Sequence, residues 1–241
     1  MINVLMPMAS KNQFFPENEY PYPRFLIEFN GKTMIEHVIN NLSSIAEDVQ
    51  FIFIVNEEDC KKYHLDNILG LSTENKSKII KINSETKGAA CSALLAIEHI
   101  DNDTPLVISN ADQVFDSSLS DAVNALKKND GGAICFESVH PRWSYVRTDE
   151  GGNITETAEK RPISKKAIAG FYYFSHGKDF VQSAMQMIKK DASVNGLFFI
   201  APVLNEMVLD GKKMDVFTID NESYHTFYTP AKIQEYERSR V

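Results

Sequence analysis

The 241-residue sequence contains little cysteine, and none of its apolar runs approaches the length of a membrane-spanning helix. Cys60, Cys91 and Cys135 are far apart and form no C-x-x-C pair, so the sequence carries no zinc signature and fits a reducing compartment. The formal net charge of −8 argues against binding to nucleic acid or to an anionic membrane. Because the start also lacks the basic and apolar regions of a signal peptide, we expect a cytoplasmic protein.

The sequence also lacks the usual arrangements of nucleophilic catalysis. It has no G-x-S-x-G motif, and no Ser/His/Asp or Cys/His set can be assembled from its spacing. It shows no internal repeat and no low-complexity segment. With 43% hydrophobic and 24% charged residues, the chain can bury one sizeable core, and we expect a single domain over residues 1–241.

Short apolar runs alternate with helical patterns through the first half of the chain. Runs that begin at Ile2, Gln50, Lys78, Pro105 and Gly131 have the length and composition of buried strands. Helical patterns follow them, and one of these, starting near Glu57, is predicted to end at a glycine, Gly70. Strand–helix units that repeat and end in a strand predict a mostly parallel sheet covered on both faces. Ligands of such sheets bind beyond the carboxyl ends of the strands.

Three unusual stretches fall at that edge of the predicted sheet. Ala9, Ser10 and Lys11 place small residues and a cation where a phosphate could bind, and the Thr86–Ala90 turn has the small residues that let a planar base approach the backbone. Asp112 ends a strand with a carboxylate, an oxygen ligand suited to Mg²⁺. Each stretch alone also fits a surface loop, a helix cap or a turn. Their coincidence at one edge favours a nucleotide and metal site.

The second half of the chain changes character. A hairpin is predicted around residues 151–153, and the strand after it carries Gly170, where a ligand or another backbone could approach closely. Glu159 and Lys160 end the hairpin; such a pair could meet a hydroxyl and a phosphate, although adjacent charges are often only solvated. We therefore expect a nucleotide-binding part over residues 1–138 and a small C-terminal substrate lobe over residues 139–241.

Further helices are predicted near the carboxyl terminus. One is expected over residues 178–189 and another over residues 195–211. The last helix should begin with Thr229 as its N-cap and Pro230 at its first position, because both residues favour a helix start.

Taken together, these stretches resemble the nucleotidyltransferase family, the sugar-phosphate nucleotidyltransferases or pyrophosphorylases of GT-A-like fold. VLMPMAS…YPRFLIEFNGKTMIEHVI is similar to the family's strand, phosphate loop, basic segment and first helix. ETKGAACSALLAI and LVISNADQVFD are similar to its base-binding turn and metal aspartate, and SYVRTDEGGNITETAEKRPISKKAIAGFYYF to its substrate hairpin, E-K pair and glycine strand. The resemblance implies an α/β, three-layer Rossmann-like fold with a mostly parallel mixed sheet.

The resemblance also implies a reaction and a set of roles. The reaction is transfer of NMP from an NTP, with CTP favoured, to a phosphorylated sugar or similar metabolite, with release of pyrophosphate and Mg²⁺ as cofactor. Surface polysaccharide biosynthesis, such as that of capsule or lipopolysaccharide, is the expected use of the product. Matching positions imply catalytic roles for Lys11 and Arg24, metal binding by Asp112, nucleotide binding by Met8, Ala9, Ser10, Thr86, Gly88, Ala89 and Asn110, and acceptor binding by Tyr145, Glu159, Lys160 and Gly170.

The sequence departs from the family at three places. The family's G-x-G-x-R loop is SKNQF here, and Arg24 stands where the basic segment has lysine, whose donor geometry differs. Many relatives carry a second metal aspartate where this chain has Thr226; Asp220 or Glu222 could substitute for it.

Two other functions stay open at this point. A GT-A glycosyltransferase that uses an NDP-sugar would share the fold, but its D-x-D pair is here Asn110-Ala111-Asp112, with a single acid. A non-catalytic nucleotide-binding regulator is suggested by the altered phosphate loop. The acceptor and the oligomeric state are not specified by the sequence.

Overall fold

The structure, a computed structural model, describes residues 1–10, 14–16 and 18–240. The strands are β1 (Ile2–Pro7), β2 (Glu28–Phe29), β3 (Lys32–Thr33), β4 (Val49–Asn56), β5 (Ser77–Ile82), β6 (Leu106–Ser109), β7 (Gln113–Phe115), β8 (Gly131–Glu137), β9 (Ser144–Thr148), β10 (Ile154–Glu159), β11 (Lys166–Phe174), β12 (Met214–Thr218) and β13 (Tyr224–Thr226). The helices are α1 (Met34–Leu42), α2 (Glu57–Tyr63), α3 (Leu65–Ser72), α4 (Ala89–Leu94), α5 (Ile97–Ile100), α6 (Leu119–Leu126), α7 (Gly177–Lys189), α8 (Val203–Leu209) and α9 (Pro230–Ser239). None of the helices in the described part is long and apolar enough to cross a membrane.

One large mixed sheet organises the molecule. Its strands run in the order β10-β9-β11-β6-β1-β4-β5, while β8 pairs with β11 and β12 pairs with β8. β1 is parallel to both of its neighbours, so that Leu5 lies opposite Ile52 of β4 and Ile108 of β6. The predicted α/β class with a mostly parallel sheet is therefore confirmed. The carboxyl ends of β1, β4, β5 and β6 share one edge, where the site is built.

β11 makes the sheet mixed. It is antiparallel to β6 on one side and to β8 on the other, and its register with β8 shifts between Ile168 and Tyr172. Gly170 lies inside this irregularity with φ +59°. Strands from both sides of the predicted division at residue 138 thus join one sheet.

The core has two layers, one on each face of the sheet. Along β1, Val4 and Met6 pack with α1 and α6 on one face, whereas Leu5 packs with α4, α7 and α8 on the other. All three side chains are fully buried. Each such side chain contributes roughly 1.5–3 kcal/mol on burial, so this alternation holds the helices in three layers.

The helix predicted from Glu57 to Gly70 differs from the structure at two points. The pattern that starts at Glu57 forms two helices, because His64 adopts a left-handed conformation with φ +55° and its N–H bonds to Cys60 O as at a helix end. Gly70 lies within the second helix, which continues to Ser72.

The carboxyl-terminal helices differ in how well the sequence predicts them. The helix expected over residues 195–211 is limited to Val203–Leu209, and the residues before it run beside the turn that precedes α4. The start of α9 is confirmed: Pro230 is its first residue, and the Thr229 side chain accepts a hydrogen bond from Lys232 N.

Candidate active site

A cavity of about 490 Å³ opens at the carboxyl edge of the parallel strands. We call it the Asp112 cavity. Its lining comes from all three loops that the sequence places at this edge: Pro7, Ala9, Ser10, Arg24, Ile82, Glu85, Thr86, Gly88, Ala89, Ser92, Asn110, Ala111, Asp112 and Leu197. The structure therefore brings the predicted residues Ala9, Ser10, Arg24, Thr86 and Asp112 to one site.

An ion pair lies in the wall of this cavity. Arg24 Nη1 is 3.5 Å from Asp112 Oδ2, and each side chain is 17% exposed. Asp112 is fixed by its backbone, because its carbonyl accepts a hydrogen bond from Phe227 N at 2.7 Å. Arg24 Nε is buried and has no hydrogen-bond partner within the described residues. A guanidinium with an unused donor beside a cavity is suited to phosphate oxygens, since these accept charge-assisted hydrogen bonds.

The turn before α4 is held close to a distant segment of the chain. Gly88 has φ +108°, and a Cβ there would lie 2.4 Å from Phe198 O. Ala90 N donates to Phe198 O at 3.0 Å, and Phe198 N donates to Lys87 O at 2.8 Å. Gly88 is thus required by a close backbone approach, while Ala89, next to it, lines the cavity. Thr86 Oγ1 bonds to Gly88 O at 3.1 Å and to Ser92 Oγ at 2.6 Å.

A second cavity of about 240 Å³ adjoins the first. We call it the Glu159 cavity. Its lining is Ala89, Asn110, Arg142, Trp143, Ser144, Glu159, Ile168, Gly170, Tyr172, Phe199 and Ile200. Ala89 and Asn110 line both cavities, so a ligand in one can meet a ligand in the other.

Glu159 is the acidic group of the second cavity. Burial raises the pKa of its carboxyl, while a hydrogen bond from Ser144 Oγ to Oε2 and the charge of Lys160 partly oppose that rise. Burial also raises the pKa of Tyr172, which is only 7% exposed, so its phenol stays neutral. A partly buried carboxylate with one hydrogen bond can accept others from ligand hydroxyls.

Lys160 has a strained backbone and an exposed side chain. Its φ is +54°, its N–H donates to Trp143 O at 3.0 Å, and its Nζ lies 5.0 Å from the centre of the Phe199 ring. Since non-glycine residues rarely adopt positive φ, this conformation is consistent with a functional position.

Gly170 joins the two cavities through Asn110. A Cβ on Gly170 would lie 2.2 Å from Asn110 Nδ2 and 2.8 Å from Gln113 Oε1. Gly170 O accepts hydrogen bonds from Asn110 N and from Gln113 Nε2, both at 3.0 Å. The close approach expected at this glycine is made by the Asn110 and Gln113 side chains.

Three predicted site residues of the described part, Met8, Tyr145 and Lys160, do not line either cavity. Met8 is 2% exposed in the core, and its N–H donates to Ile54 O in the sheet. Tyr145 is fully buried, and its hydroxyl donates to His140 O at 2.6 Å. Successive residues of a strand point to opposite faces, so Ser144 faces the cavity and Tyr145 does not. Lys11, predicted to be catalytic, lies outside the described residues.

Arg142 is a cation of the Glu159 cavity that the sequence analysis missed. Its position just before Trp143 and the hairpin is a sequence feature that could have indicated it. Nothing in the local sequence, however, distinguishes it from other surface arginines.

The donor set around Asp112 fits Mg²⁺ in one specific way. Within the described residues, no group of three or more His, Cys, Asp or Glu side chains could hold a metal ion. Asp220 and Glu222, the suggested second carboxylates, are exposed and do not line the Asp112 cavity. Mg²⁺ usually binds through one or two carboxylates together with substrate phosphates and water. Asp112 alone therefore fits a metal that arrives with a nucleotide.

The fold and the cavities define an α/β protein with two adjoining cavities, the first of them at the carboxyl ends of its parallel strands. The family model described as nucleotidyl transferase matches residues 19–222. The chain therefore belongs to this family and is a nucleotidyltransferase.

Solved structures share the fold over nearly the whole chain. The nucleoside-diphosphate-sugar pyrophosphorylase of Vibrio cholerae RC9 is 21% identical with a TM-score of 0.84, over 98% of this chain and 99% of that one. The inositol-1-phosphate CTP transferase of T. maritima is 16% identical with a TM-score of 0.74, over 96% and 91%. A UDP-glucose pyrophosphorylase bound to UDP-glucose is 15% identical with a TM-score of 0.77, over 100% and 98%.

Proposed function

We propose that this enzyme transfers an NMP group from an NTP to the phosphate of a small phosphorylated sugar or polyol and releases pyrophosphate. The observation that carries the proposal is the pair of adjoining cavities that share Ala89 and Asn110. One contains the Arg24–Asp112 pair, and the other contains Glu159. Two substrates held side by side meet the requirement of proximity for a direct transfer.

The two cavities also support the functional division of the chain. Apart from Leu197, the Asp112 cavity is lined by residues of 1–138, the proposed nucleotide-binding part. Apart from Ala89 and Asn110, the Glu159 cavity is lined by residues of 139–241, the proposed acceptor-binding part.

The transfer is a single in-line displacement at the α-phosphorus. An oxygen of the acceptor phosphate forms the new bond to phosphorus, the bond to the oxygen that bridges the α- and β-phosphates breaks, and pyrophosphate leaves with that electron pair. Arg24 stabilises the negative charge on the phosphates, and Glu159 accepts hydrogen bonds from acceptor hydroxyls. Ala9, Ser10, Thr86, Gly88, Ala89 and Asn110 bind the nucleotide, while Lys160 and Gly170 stand at the acceptor.

Asp112 is the residue that would hold Mg²⁺ at this site. The ion supplies charge neutralisation on the nucleotide phosphates when it is bound. Arg24 forms an ion pair with the same carboxylate. Arg24 also lines the cavity, so its guanidinium can donate charge-assisted hydrogen bonds to phosphate oxygens there.

CTP is the nucleotide we favour, and a sugar or polyol phosphate is the acceptor. The small residues of the turn before α4 are the reason to favour CTP. Two proteins of similar fold, the inositol-1-phosphate CTP transferase of T. maritima and a UDP-glucose pyrophosphorylase, have a pyrimidine nucleotide in their names. The volume of about 240 Å³ lies below the range of roughly 300–1,000 Å³ for drug-sized ligands and so supports a small acceptor. Use of the product in surface polysaccharide biosynthesis stays a prediction.

A matrix of substrates tests the proposal. Each common NTP is mixed with Mg²⁺ and with glucose 1-phosphate, other hexose 1-phosphates, inositol 1-phosphate or a short polyol phosphate, and pyrophosphate is measured. We expect release from one NTP, CTP first, only when one of these acceptors is present. Nucleotide binding by calorimetry without pyrophosphate from any pair would instead favour the non-catalytic regulator. Transfer of a sugar from an NDP-sugar would favour the glycosyltransferase, which family membership and the single acid at Asp112 disfavour.

A further inference from the structure

Arg142 is a cation of the Glu159 cavity held by aromatic rings. Its guanidinium carbon lies 3.4 Å from the centre of the Tyr228 ring and 4.4 Å from the centre of the Trp143 ring. Trp143 precedes β9, whereas Tyr228 comes from the segment between β13 and α9, so two distant parts of the chain meet at this side chain. Cation–π contacts of this kind attract an arginine to the ring faces and restrict its position.

The hydrogen-bonding capacity of Arg142 is not used by the protein. In the described part of the chain, no side-chain or backbone oxygen accepts a hydrogen bond from its guanidinium, and no carboxylate forms an ion pair with it. The carboxylate of the same cavity, Glu159, instead accepts from Ser144 Oγ. An arginine has five N–H donors in a planar fork that matches a carboxylate or a phosphate. The Trp143 and Tyr228 rings lie close to the guanidinium carbon, and the N–H groups of the guanidinium are suited to an anion.

The cavity around Arg142 has the composition of an anion and hydroxyl site. Lys160 adds a second cation at the Phe199 ring, which also lines the cavity. Glu159 and Ser144 supply polar groups for hydroxyls. A ligand with both hydroxyls and a negative group therefore fits better than a neutral one.

We propose that Arg142 binds an anionic group of the acceptor, either its phosphate or a carboxylate, and that Tyr228 is the positioning residue that holds the guanidinium plane. This proposal rests on the proposed function, because it specifies the acceptor of the same reaction. It predicts an acceptor whose affinity depends on a negative charge inside the Glu159 cavity.

Trp143 provides a direct readout, since it is the single tryptophan of the chain and lies against Arg142. Its fluorescence is titrated in the absence of nucleotide with three probes: inorganic phosphate, glucose 1-phosphate and glucuronic acid 1-phosphate. We expect saturable changes in the wild-type protein and a dissociation constant raised roughly 10- to 100-fold by Arg142→Gln, the size expected for hydrogen bonds to a charged group. Arg142→Lys should restore only part of the affinity, because lysine lacks the fork.

Matched variants separate binding from folding. Arg147→Gln removes an arginine that is paired with Glu156 on the same hairpin, outside the cavity, and should leave the dissociation constants unchanged. Tyr228→Phe keeps the ring and should bind as the wild type does, whereas Tyr228→Ala should weaken binding. Thermal unfolding of each variant shows whether it is folded at the temperature of the titration.

The probes also identify the source of the anion. If Arg142→Gln raises the dissociation constants of all three probes equally, Arg142 binds the phosphate group. If it raises only that of glucuronic acid 1-phosphate, Arg142 binds the carboxylate. Both outcomes support the proposal. Unchanged dissociation constants in Arg142→Gln, or no saturable response of the wild type to any probe, would overturn it. The titration involves no turnover, so its failure is distinct from a failure of pyrophosphate release.

Discussion

The two cavities are built in opposite ways. The Asp112 cavity is lined mainly by the loops and turns that follow the carboxyl ends of the parallel strands, and its wall contains the partly exposed Arg24–Asp112 ion pair. The Glu159 cavity is lined by side chains from a hairpin, a bulged strand and distant loops, with a partly buried carboxyl and a cation held by rings. The first depends on the sheet, and the second depends on side-chain packing.

Under the proposed function, this difference assigns the chemistry to the Asp112 cavity and the acceptor specificity to the Glu159 cavity. Groups at strand ends are held rigidly by the core, which suits the charges that must align on the nucleotide phosphates. Side chains from several loops can change without disturbing the sheet, which suits the recognition of one acceptor among many. We therefore expect substitutions in the Asp112 cavity to reduce turnover and those in the Glu159 cavity to reduce acceptor affinity.

The largest effect is expected from Asp112→Asn. Loss of the carboxylate removes the proposed metal ligand and leaves Arg24 without its partner, so kcat should fall by at least about 10²- to 10³-fold. Pyrophosphate release over a range of Mg²⁺ concentrations measures it. Asp116→Asn is the matched control: Asp116 pairs with His225 and Arg240 away from the cavity, and its loss should leave kcat within twofold, or about the uncertainty of the assay. Equal losses in both variants would contradict the role of Asp112.

Gly170→Ala should affect both cavities at once. The new Cβ would meet Asn110 Nδ2 at 2.2 Å, and Asn110 lines both cavities. Gly211→Ala is the control, because Gly211 also has positive φ, +75°, but nothing lies within 4 Å of its Cβ position. We expect Gly211→Ala to lower the free energy of unfolding by about 1 kcal/mol and Gly170→Ala by roughly 1–3 kcal/mol more, as judged by urea denaturation.

The kinetic consequence of Gly170→Ala sharpens the comparison further. The KM values for nucleotide and acceptor should both rise, since Asn110 must move. A rise confined to one substrate would show that Asn110 does not connect the cavities.

Glu159→Gln should act on the acceptor alone. Burial raises the pKa of Glu159, and the ionised carboxylate accepts stronger hydrogen bonds than the neutral acid, so acceptor binding is strongest above that pKa and weakens as the pH falls through it. In the wild type, kcat/KM for the acceptor should therefore decline at a pH above the usual range of a glutamate. The variant should lose roughly 10- to 100-fold in this parameter near neutral pH and lack this acidic decline. An identical pH profile in the variant would exclude Glu159 as the titrating group.

The smallest effect is expected from Tyr145→Phe. The change removes the hydrogen bond to His140 O and should lower the free energy of unfolding by about 1 kcal/mol. Because Tyr145 points away from the Glu159 cavity, the acceptor KM should stay constant. A clear rise in that KM at unchanged stability would restore Tyr145 to the acceptor site.

The same comparison explains what the sequence could predict. Asp112 and the turn at Thr86 follow strands whose apolar composition is local, so both their positions and their shared edge could be inferred. Tyr145 was predicted to line the acceptor site but is buried away from the cavity, because an alternating strand does not reveal which of its faces meets a ligand. Arg142 was missed because its partner Tyr228 comes from another part of the chain. The break between α2 and α3 depends on a left-handed histidine that no spacing rule indicates.

The central claim is that two adjoining substrates react directly, without a covalent intermediate on the enzyme. The most direct measurement follows the α-phosphate, with NTP labelled there and the acceptor that the substrate matrix selects. We predict that all transferred label is found in the nucleotide-linked acceptor, with one pyrophosphate released per product and none of the label on the denatured protein. Label retained on the protein, or pyrophosphate released without labelled product, would contradict the account.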